Sequence, residues 1–545
     1  MKAFSRAAIV AILLSLVLAG SARPSAAQGD LVSLSAKDCT YGGEFKTIAA
    51  TDASTVKFTL CAPDAAFLAK IAFQAFQISP AAYLQKTSGK GDINNLPIGT
   101  GPYKLEKWDK GNQIILTRND AYWGEKAKTK TVVIKWTTDA SARLVELQAG
   151  TADGIDNVAP GDFAVVSGDS NLKLYERQAL NVMYLGMQNT IAPFDNLKVR
   201  QAIAYAIDKQ RIVDNFYPKG STVASQFVPK AIFGFTKEVE PFKRDIAKAK
   251  QLIAESGVAT PIKVALSYRN VVRGYLPQPA IVAQDLQAQL KEIGFDVTLN
   301  EVESSTYITQ TNKGTFPLFL LGWGADWPDA TNFLDYHFGA GANPTFGKTF
   351  KEITEPLAKA QQSADPKVRY PLYQEANKQV RDLVPMVPIA NGGSAMAFKT
   401  TIAGAQASPL TDEKFAFMQN TKGDQLVFIQ GGEPGGLYCP DETDGEAFRI
   451  CGQVAESLYG YEIGGTAPIP KLATACTPNA DLTEWTCKLR TGVKFHDGSA
   501  LTANDVATSY IAQWDASSPL HTGRETQFSY LTASFGGFLN APPAK

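Results

Sequence analysis

The stretch from Pro261 to Trp323 restricts the fold more than any other part of the chain. "IKVALSY" alternates as a strand does. "PAIVAQDLQAQLKEIG" then places Val282, Leu286, Leu290 and Ile293 on one helical face, with Gly294 as its stop. "FDVTLNEV" returns to strand. After a further helical turn, "FPLFLLGW" is a continuous apolar run of the kind buried on both faces. Strand–helix–strand alternation specifies an α/β lobe. The chain has 545 residues, room for two or three domains at ~100–200 residues each.

Other segments carry the same two periods. "STVKFTL" sets Val56, Phe58 and Leu60 against Lys57 and Thr59, as in a half-buried strand. Gly99–Gly124 reads as a loop and two strands about the turn "DKGN". "VRQAIAYAIDKQRIV" puts Val199, Ile203, Ala206 and Ile207 on one helical face. "LVFIQGG" (Leu426–Gly432) is a second buried strand, followed by a loop and a helix over "GEAFRICGQVAESLYG". No internal repeat is present.

Hydrophobic residues make up 45% of the chain and charged residues 19%, the balance of a soluble globular protein. Lys plus Arg and Asp plus Glu are 53 each, so no basic field exists to hold a nucleic acid backbone. Lys2 and Arg6 precede an apolar run, Ala7 to Leu18, too short for the ~20 residues of a spanning helix. Ser25 and Ala27 follow in the spacing a signal peptidase reads, so residues 1–27 are read as an export signal cut after Ala27. The nearest cysteine is Cys39, with no Leu-x-x-Cys before the cut, so the chain is not read as a lipoprotein.

Export makes the six cysteines disulfide candidates, with fifteen possible pairings. One pair has a local argument. "ATACTPNADLTEWTCKLR" reads as two short strands about Pro478, Asn479 and Asp481, so Cys476 and Cys487 would face each other. Cys439 with Cys451 and Cys39 with Cys61 are the next most local choices. No Cys or His spacing suits zinc.

Three histidines are present: His337, His496 and His521. "FHDG" raises an acid–base role for His496 and Asp497, but Asp-Gly favours a tight turn and Asn504-Asp505 begins a helix. No P-loop, His-Glu-x-x-His or Gly-x-Ser-x-Gly occurs. "LGWGADWPDATNFLDYHF" is more informative. It follows an apolar strand, where ligands gather in open α/β sheets. Trp323, Trp327 and Phe333 offer apolar walls, and Asp326 and Asp329 supply negative charge. That combination suits a cationic amine or a polyhydroxyl ligand.

"LRTGVKFHDGSALTANDV", "PIGTGPYKLEKWDKG", "NDAYWG", "DASARLVELQAG", "PFDNLKVRQAIAYAIDKQRIV" and "LLGWGADWPDATNFL" together resemble the extracytoplasmic solute-binding proteins of ATP-driven importers, in the family 5 group that holds dipeptide-, oligopeptide- and nickel-binding proteins. The resemblance implies a non-enzymatic α/β protein of the periplasmic-binding type II class, without cofactor. Two α/β lobes enclose the ligand across a two-strand hinge, here Leu180–Asn189 and Val384–Gly393, and an extra α+β lobe is attached. Asp326 would hold a peptide's amino terminus. Arg273 would hold its carboxylate, with Tyr275 close by and Trp323 and Trp327 as walls. A tryptophan common on the closing lobe is replaced around Ser304. The implied partners are a short peptide and a membrane permease, with the protein a monomer at the periplasmic or extracytoplasmic face. The rivals are the same fold binding an oligosaccharide, and a secreted hydrolase.

The segments do not come in the family's order. Those like "DQLVFIQGGEPGG" and "LRTGVKFHDG" come first in the family but here begin at Asp424, directly after "IAGAQASPLTDEKFAF", which resembles the family's end. The expected arrangement is a circular permutation. Residues 28–93 form the second part of the extra lobe, 94–181 part of ligand-binding lobe I, and 182–388 lobe III. Residues 389–462 form the rest of lobe I, with the old termini joined, and 463–545 the first part of the extra lobe.

Overall fold

The computed structural model describes residues 30–269, 273–302, 307, 310–339, 342–442, 445–524 and 526–542. The expected export signal, 1–27, and Ser304 lie outside the described residues. Strands Ile262–Tyr268 and Phe295–Glu301 run parallel, joined by helix Pro279–Lys291, which buries Val282, Leu286 and Leu290. Gly294 after the helix takes φ +92°, a conformation L side chains avoid. Strand Leu318–Gly324 pairs parallel to Ile262–Tyr268 and antiparallel to Asn181–Met187. Its Leu318 and Leu320 enter one core cluster and Phe319 another. This is the two-sided burial the apolar run predicts. With Met386–Asn391 and Thr222–Val223 these strands complete a six-stranded sheet.

A seven-stranded sheet forms the second lobe. Gln425–Gln430 lies inside it, parallel to Thr131–Trp136 on one side and Gly154–Ile155 on the other. The hairpin Tyr103–Asp109 and Gln113–Arg118 extends one end; Ser394–Lys399 and Leu172–Arg177 extend the other. The third lobe is an antiparallel five-stranded sheet, in the order Ser33–Ser35, Phe45–Asp52, Thr55–Leu60, Glu484–Leu489, Ala473–Pro478. Thr55–Leu60 pairs directly with Glu484–Leu489, with Phe58 opposite Trp485. Helix Ala503–Trp514 packs on this sheet, and its Tyr510 meets Phe58 edge-on at 4.9 Å. A fully buried phenylalanine such as Phe58 contributes ~1.5–3 kcal/mol. Segments more than 400 positions apart in the sequence thus share one core, as expected of Leu489–Val506 and Thr55–Leu60.

Some boundaries differ from expectation. The helix over "VRQAIAYAIDKQRIV" breaks. Leu197–Ala206 ends as Ile207 turns extended, and Asp208 caps a new helix, Lys209–Phe216, by accepting from Arg211 N at 3.0 Å. A helix-period pattern cannot reveal an aspartate that caps from within it. The helix after the Cys439 loop ends at Val454, because Tyr459–Tyr461 pairs as a strand with Pro468–Pro470. The second passage between sheets falls after Asn391, beyond the expected boundary at residue 388, because Met386–Asn391 stays paired to Asn181–Met187 through Ala390.

"FHDG" is a turn. Gly498 takes φ +90° and Asp497 accepts from Ser499 N at 2.9 Å. His496 Nε2 lies 3.0 Å from Gly101 O, tying the five-stranded lobe to the seven-stranded one. Among the described residues no helix is long and apolar enough to cross a membrane.

The disulfides are Cys39–Cys61, Cys439–Cys451 and Cys476–Cys487. Cys476 and Cys487 are register partners across the hairpin. Replacing both by alanine should lower unfolding free energy by ~2–4 kcal/mol through the loop freed in the unfolded chain. Urea titration of the otherwise oxidised protein reads this directly. A loss below measurement error would mean the cross-link adds nothing to the strand pairing.

Candidate functional site

The chain passes between the six- and seven-stranded sheets twice, at residues 178–180 and 392–393. Asn181 clasps the two passages. Its Nδ2 donates to Gly392 O at 2.9 Å, and its Oδ1 accepts from Gly392 N at 2.8 Å. Asn391 Nδ2 donates back to Asn181 O at 2.6 Å. A cavity of about 290 Å³ opens here.

One wall is apolar: Phe73, Phe448 and Tyr530 form a triangle with ring centroids 4.6–5.4 Å apart. Leu410 and Thr411 continue this wall, and Thr411 holds φ +58°, a strained value for a β-branched residue of the kind that clusters at functional sites. The six-stranded lobe contributes Gly324 and Ala325, immediately before Asp326.

Asn332 organises the Asp326 loop. Its Oδ1 accepts from Trp323 Nε1 at 3.1 Å and from Asp326 N at 3.0 Å, and its Nδ2 donates to Asp326 Oδ2 at 3.1 Å. Burial pushes the Asp326 carboxyl up to about 6 in spite of that hydrogen bond. Trp323 stacks on Tyr336 at 4.8 Å, and His337 meets Trp323 edge-on at 4.7 Å. Burial holds His337 down to about 4, so it is neutral at ordinary pH.

The remaining expected residues divide. Tyr275 packs on the central strand; a Cβ at Gly322 would lie 2.2 Å from its ring. Arg269 Nη2 donates to the Tyr275 hydroxyl at 3.0 Å. Arg273 is exposed, in a loop closed by reciprocal backbone bonds with Leu276. That loop abuts the second passage, because a Cβ at Gly392 would lie 1.9 Å from Gly274 O.

Trp327 is instead buried against Ala66 and Ala69 of the five-stranded lobe, under Lys70 Nζ at 5.3 Å, and does not line the cleft. Asp329 is occupied by Arg369 through bonds of 2.9 and 2.7 Å and supplies no open charge. The sequence reading missed Asn332, Thr411, Phe448 and Tyr530. Only Asn332, within the "WPDATN" turn, left a local signal.

Beneath the cleft lies a closed ring of alternating charge. Arg177 Nη2 reaches Asp156 Oδ1 at 2.6 Å and Glu413 Oε1 at 2.8 Å. Arg449 reaches Asp156 Oδ2 at 2.8 Å and Glu413 Oε2 at 2.9 Å. All four side chains are buried. Burial would raise the Asp156 carboxyl, but the two guanidiniums outweigh it and hold it down to about 2. Glu413 is lowered by the same pair. Among the described residues no group of three His, Cys, Asp or Glu side chains could hold a metal ion.

Residues 17–345 and 467–528 match the family described as bacterial extracellular solute-binding proteins, family 5 Middle. The di/tripeptide-binding protein 1 of Pseudomonas aeruginosa is 32% identical over 365 residues, 66% of this chain and 68% of that protein. The solved structure of HbpA2 from Haemophilus parasuis is 30% identical with a TM-score of 0.64, covering 69% of this chain and 74% of its own. The dipeptide-binding protein from Pseudoalteromonas sp. SM9913, in complex with Met-Leu, is 25% identical with a TM-score of 0.53, covering 69% and 76%.

Removing one member of the charge ring leaves an uncompensated buried charge. Glu413→Gln and Arg449→Met should each cost ~3–5 kcal/mol of stability at neutral pH. The two carboxyls are lowered on folding, so their contribution is present above about pH 4 and is lost as pH falls toward 2. Urea titrations at pH 7 and pH 3 measure both effects. Single-variant losses under 1 kcal/mol at pH 7 would show that the ring carries no such load.

Proposed function

This chain belongs to the bacterial extracellular solute-binding proteins of family 5, and we propose that it captures a short peptide in the cleft over the two passages and delivers it to the membrane permease of an ATP-driven importer. Asp326 carries the reading. It follows Ala325, which lines the cleft, though Asp326 itself is not among the lining residues; its carboxyl is raised by burial and forms no ion pair with a lysine or arginine among the described residues. A peptide's amino terminus supplies the missing positive charge. Arg273, with Tyr275 beside it, is the proposed partner of the carboxyl end, where a guanidinium can bind in bidentate fashion. The peptide-binding relative and the Met-Leu complex support this choice of ligand.

The two tryptophans give the oligosaccharide alternative no support. Sugar stacking needs open aromatic faces, and Trp323 is stacked by Tyr336 while Trp327 lies buried under Lys70. Members of this family are solute-binding proteins, and no catalytic role is proposed for any residue here. Capture outside the cytoplasm, after cleavage behind Ala27, belongs to the same proposal. So does closure by rotation at the two passages, with ligand favouring the state in which it touches both lobes.

The permuted chain order is part of the proposal too. What supports it is that Gln425–Gln430 sits between strands from residues 131–136 and 154–155, and that Thr55–Leu60 pairs with Glu484–Leu489. The joined ends would then lie at the exposed turn 421–424. A protease site inserted between Gly423 and Asp424 should be cut without loss of folding or ligand binding, because the old termini would fall there. Dissociation or unfolding after cutting would count against it.

Asp326→Asn and Arg273→Ala should each weaken free dipeptides by roughly 10–100-fold, the worth of one charge-assisted bond at ~1.5–3 kcal/mol. End-blocked peptides should be affected least. The raised carboxyl also sets a pH dependence. Below about 6 Asp326 takes up a proton and loses its attraction for an ammonium, so affinity should fall from pH 7.5 to pH 5 in the parent but not in Asp326→Asn. Titration calorimetry measures all three. Variants that bind free and blocked dipeptides like the parent would remove the end-group model.

A further inference from the structure

We propose that Lys209 is a nucleophilic amine that forms a Schiff base with a short-chain aldehyde, in a cavity between helix Lys209–Phe216 and strand Met386–Asn391. The cavity is about 20 Å³ and shares no lining residue with the cleft. Its volume exceeds the ~10–15 Å³ that one water needs, and is small enough to restrict the partner to a short chain. Met386, Val387 and Pro388 enter the lining from the strand that runs into the second passage.

Two buried polar groups in the lining lack a partner. Lys209 is 5% exposed, and its side chain forms no ion pair or hydrogen bond among the described residues. A buried ammonium without a counter-charge is disfavoured against the neutral amine. Burial alone brings this one from 10.5 down to about 7. As the first residue of its helix, Lys209 also stands at the positive end of the helix dipole, which favours the same form. The second group is Asn377, 1% exposed. Its Nδ2 donates to Gly234 O and Tyr373 O, both at 2.9 Å, while its Oδ1 has no donor.

The charged groups around Lys209 are engaged elsewhere. No carboxylate lines the cavity. Arg381, the other charged lining residue, lies over the Phe242 ring at 4.5 Å and holds Asp382 at 2.6 Å. Asp208 accepts from Arg211 N at 3.0 Å, Asp214 from Gln210 Nε2 at 2.7 Å, and Asp285 on the adjoining helix takes Arg211 Nη2 at 2.5 Å. A lysine desolvated in this way carries a free electron pair near neutral pH.

That pair attacks the aldehyde carbon. The carbonyl π electrons pass to oxygen, a proton moves from nitrogen to that oxygen, and a carbinolamine results. Its hydroxyl supplies the donor that Asn377 Oδ1 lacks. Loss of the hydroxyl with the remaining N–H proton, as water, leaves a neutral imine. Amine and aldehyde thus give imine and water, with no oxidant or reductant. The imine has neither charge nor N–H, so the apolar walls of Phe227, Phe242, Val380 and Met386 accept it more readily than an ammonium.

The test is incubation of the full chain with acetaldehyde or glycolaldehyde, reduction with borohydride, and peptide mapping by mass spectrometry. At pH 7.5 Lys209 should be labelled at least tenfold more than any other lysine, and benzaldehyde should not label it. Its labelling should change less than twofold between pH 8 and pH 9, because the amine is already neutral, whereas ordinary surface lysines gain about tenfold. Ser225→Asp, which sets a carboxylate in the lining, should raise the Lys209 pKa and cut its labelling at pH 7.5 at least fivefold. In urea the preference for Lys209 should vanish. The proposal is overturned if Lys209 stays unlabelled in the folded parent, leaving a cavity for water only. It is equally overturned if its labelling rises with pH as that of surface lysines does, or if the preference survives in urea.

Discussion

Four buried charges hold the cleft in place. Arg177 ends the strand that leads into the first passage between sheets, and residue 178 already lines the cavity. Glu413 lies just beyond Leu410 and Thr411, and Arg449 follows Phe448 on its helix. Three of the four ring members, Arg177, Glu413 and Arg449, therefore anchor segments that carry wall residues. A buried charge alone would cost several kcal/mol, and a neutral ring with short bonds offsets that cost without adding much net stability. What the ring supplies is direction. An apolar core can slide by a fraction of an ångström, but two guanidiniums shared between two carboxylates cannot exchange partners without breaking bonds of 2.6–2.9 Å. The segments that meet here come from residues 156, 177, 413 and 449, so the ring also fixes how distant parts of the chain join in one lobe.

Only two short passages link that lobe to the six-stranded one, and Asn181 holds them side by side. The six-stranded lobe also shares an apolar cluster with the five-stranded one, which holds Phe319 and Phe333 together with Phe45 and Phe58. Arg369 Nη1 donates to Ala65 O at 3.4 Å, Thr466 Oγ1 donates to Ala231 O at 3.0 Å, and Lys70 caps the Trp327 ring. The closure proposed for ligand capture would turn about Gln178–Leu180 and Gly392–Gly393. The glycine matters sterically at Gly392, where the Gly274 carbonyl fills the space a side chain would need.

Elements with a long, unbroken period were legible in the sequence. The alternation from Pro261 to Trp323 and the Cys476–Cys487 hairpin formed where the pattern placed them. Patterns read less well where one side chain overrides them, as Asp208 does by capping inside an apolar stripe. The site was legible through resemblance rather than periodicity. Trp327 and Asp329 lie close to Asp326 in sequence, and Asp329 shares its carboxylate, yet their roles differ. The deciding partners, Lys70 and Arg369, come from remote segments that no local rule connects to this loop. The charge ring left no sequence signal for the same reason.

The contrast between those two aspartates is the clearest guide to what the loop does. Asp329 is buried, bidentate to Arg369 and committed to holding a turn through Thr331. Asp326 is set in the same loop with only an amide for company, and burial raises its carboxyl to about 6. At neutral pH it is mostly ionised, in surroundings that disfavour its charge. A neutral ligand leaves that penalty in place as the cleft closes, and an anion deepens it. An ammonium removes it while gaining a charge-assisted bond. Under the proposed function, selection for a cationic end would follow from the ion-pair partner that Asp326 lacks among the described residues as much as from any contact it makes.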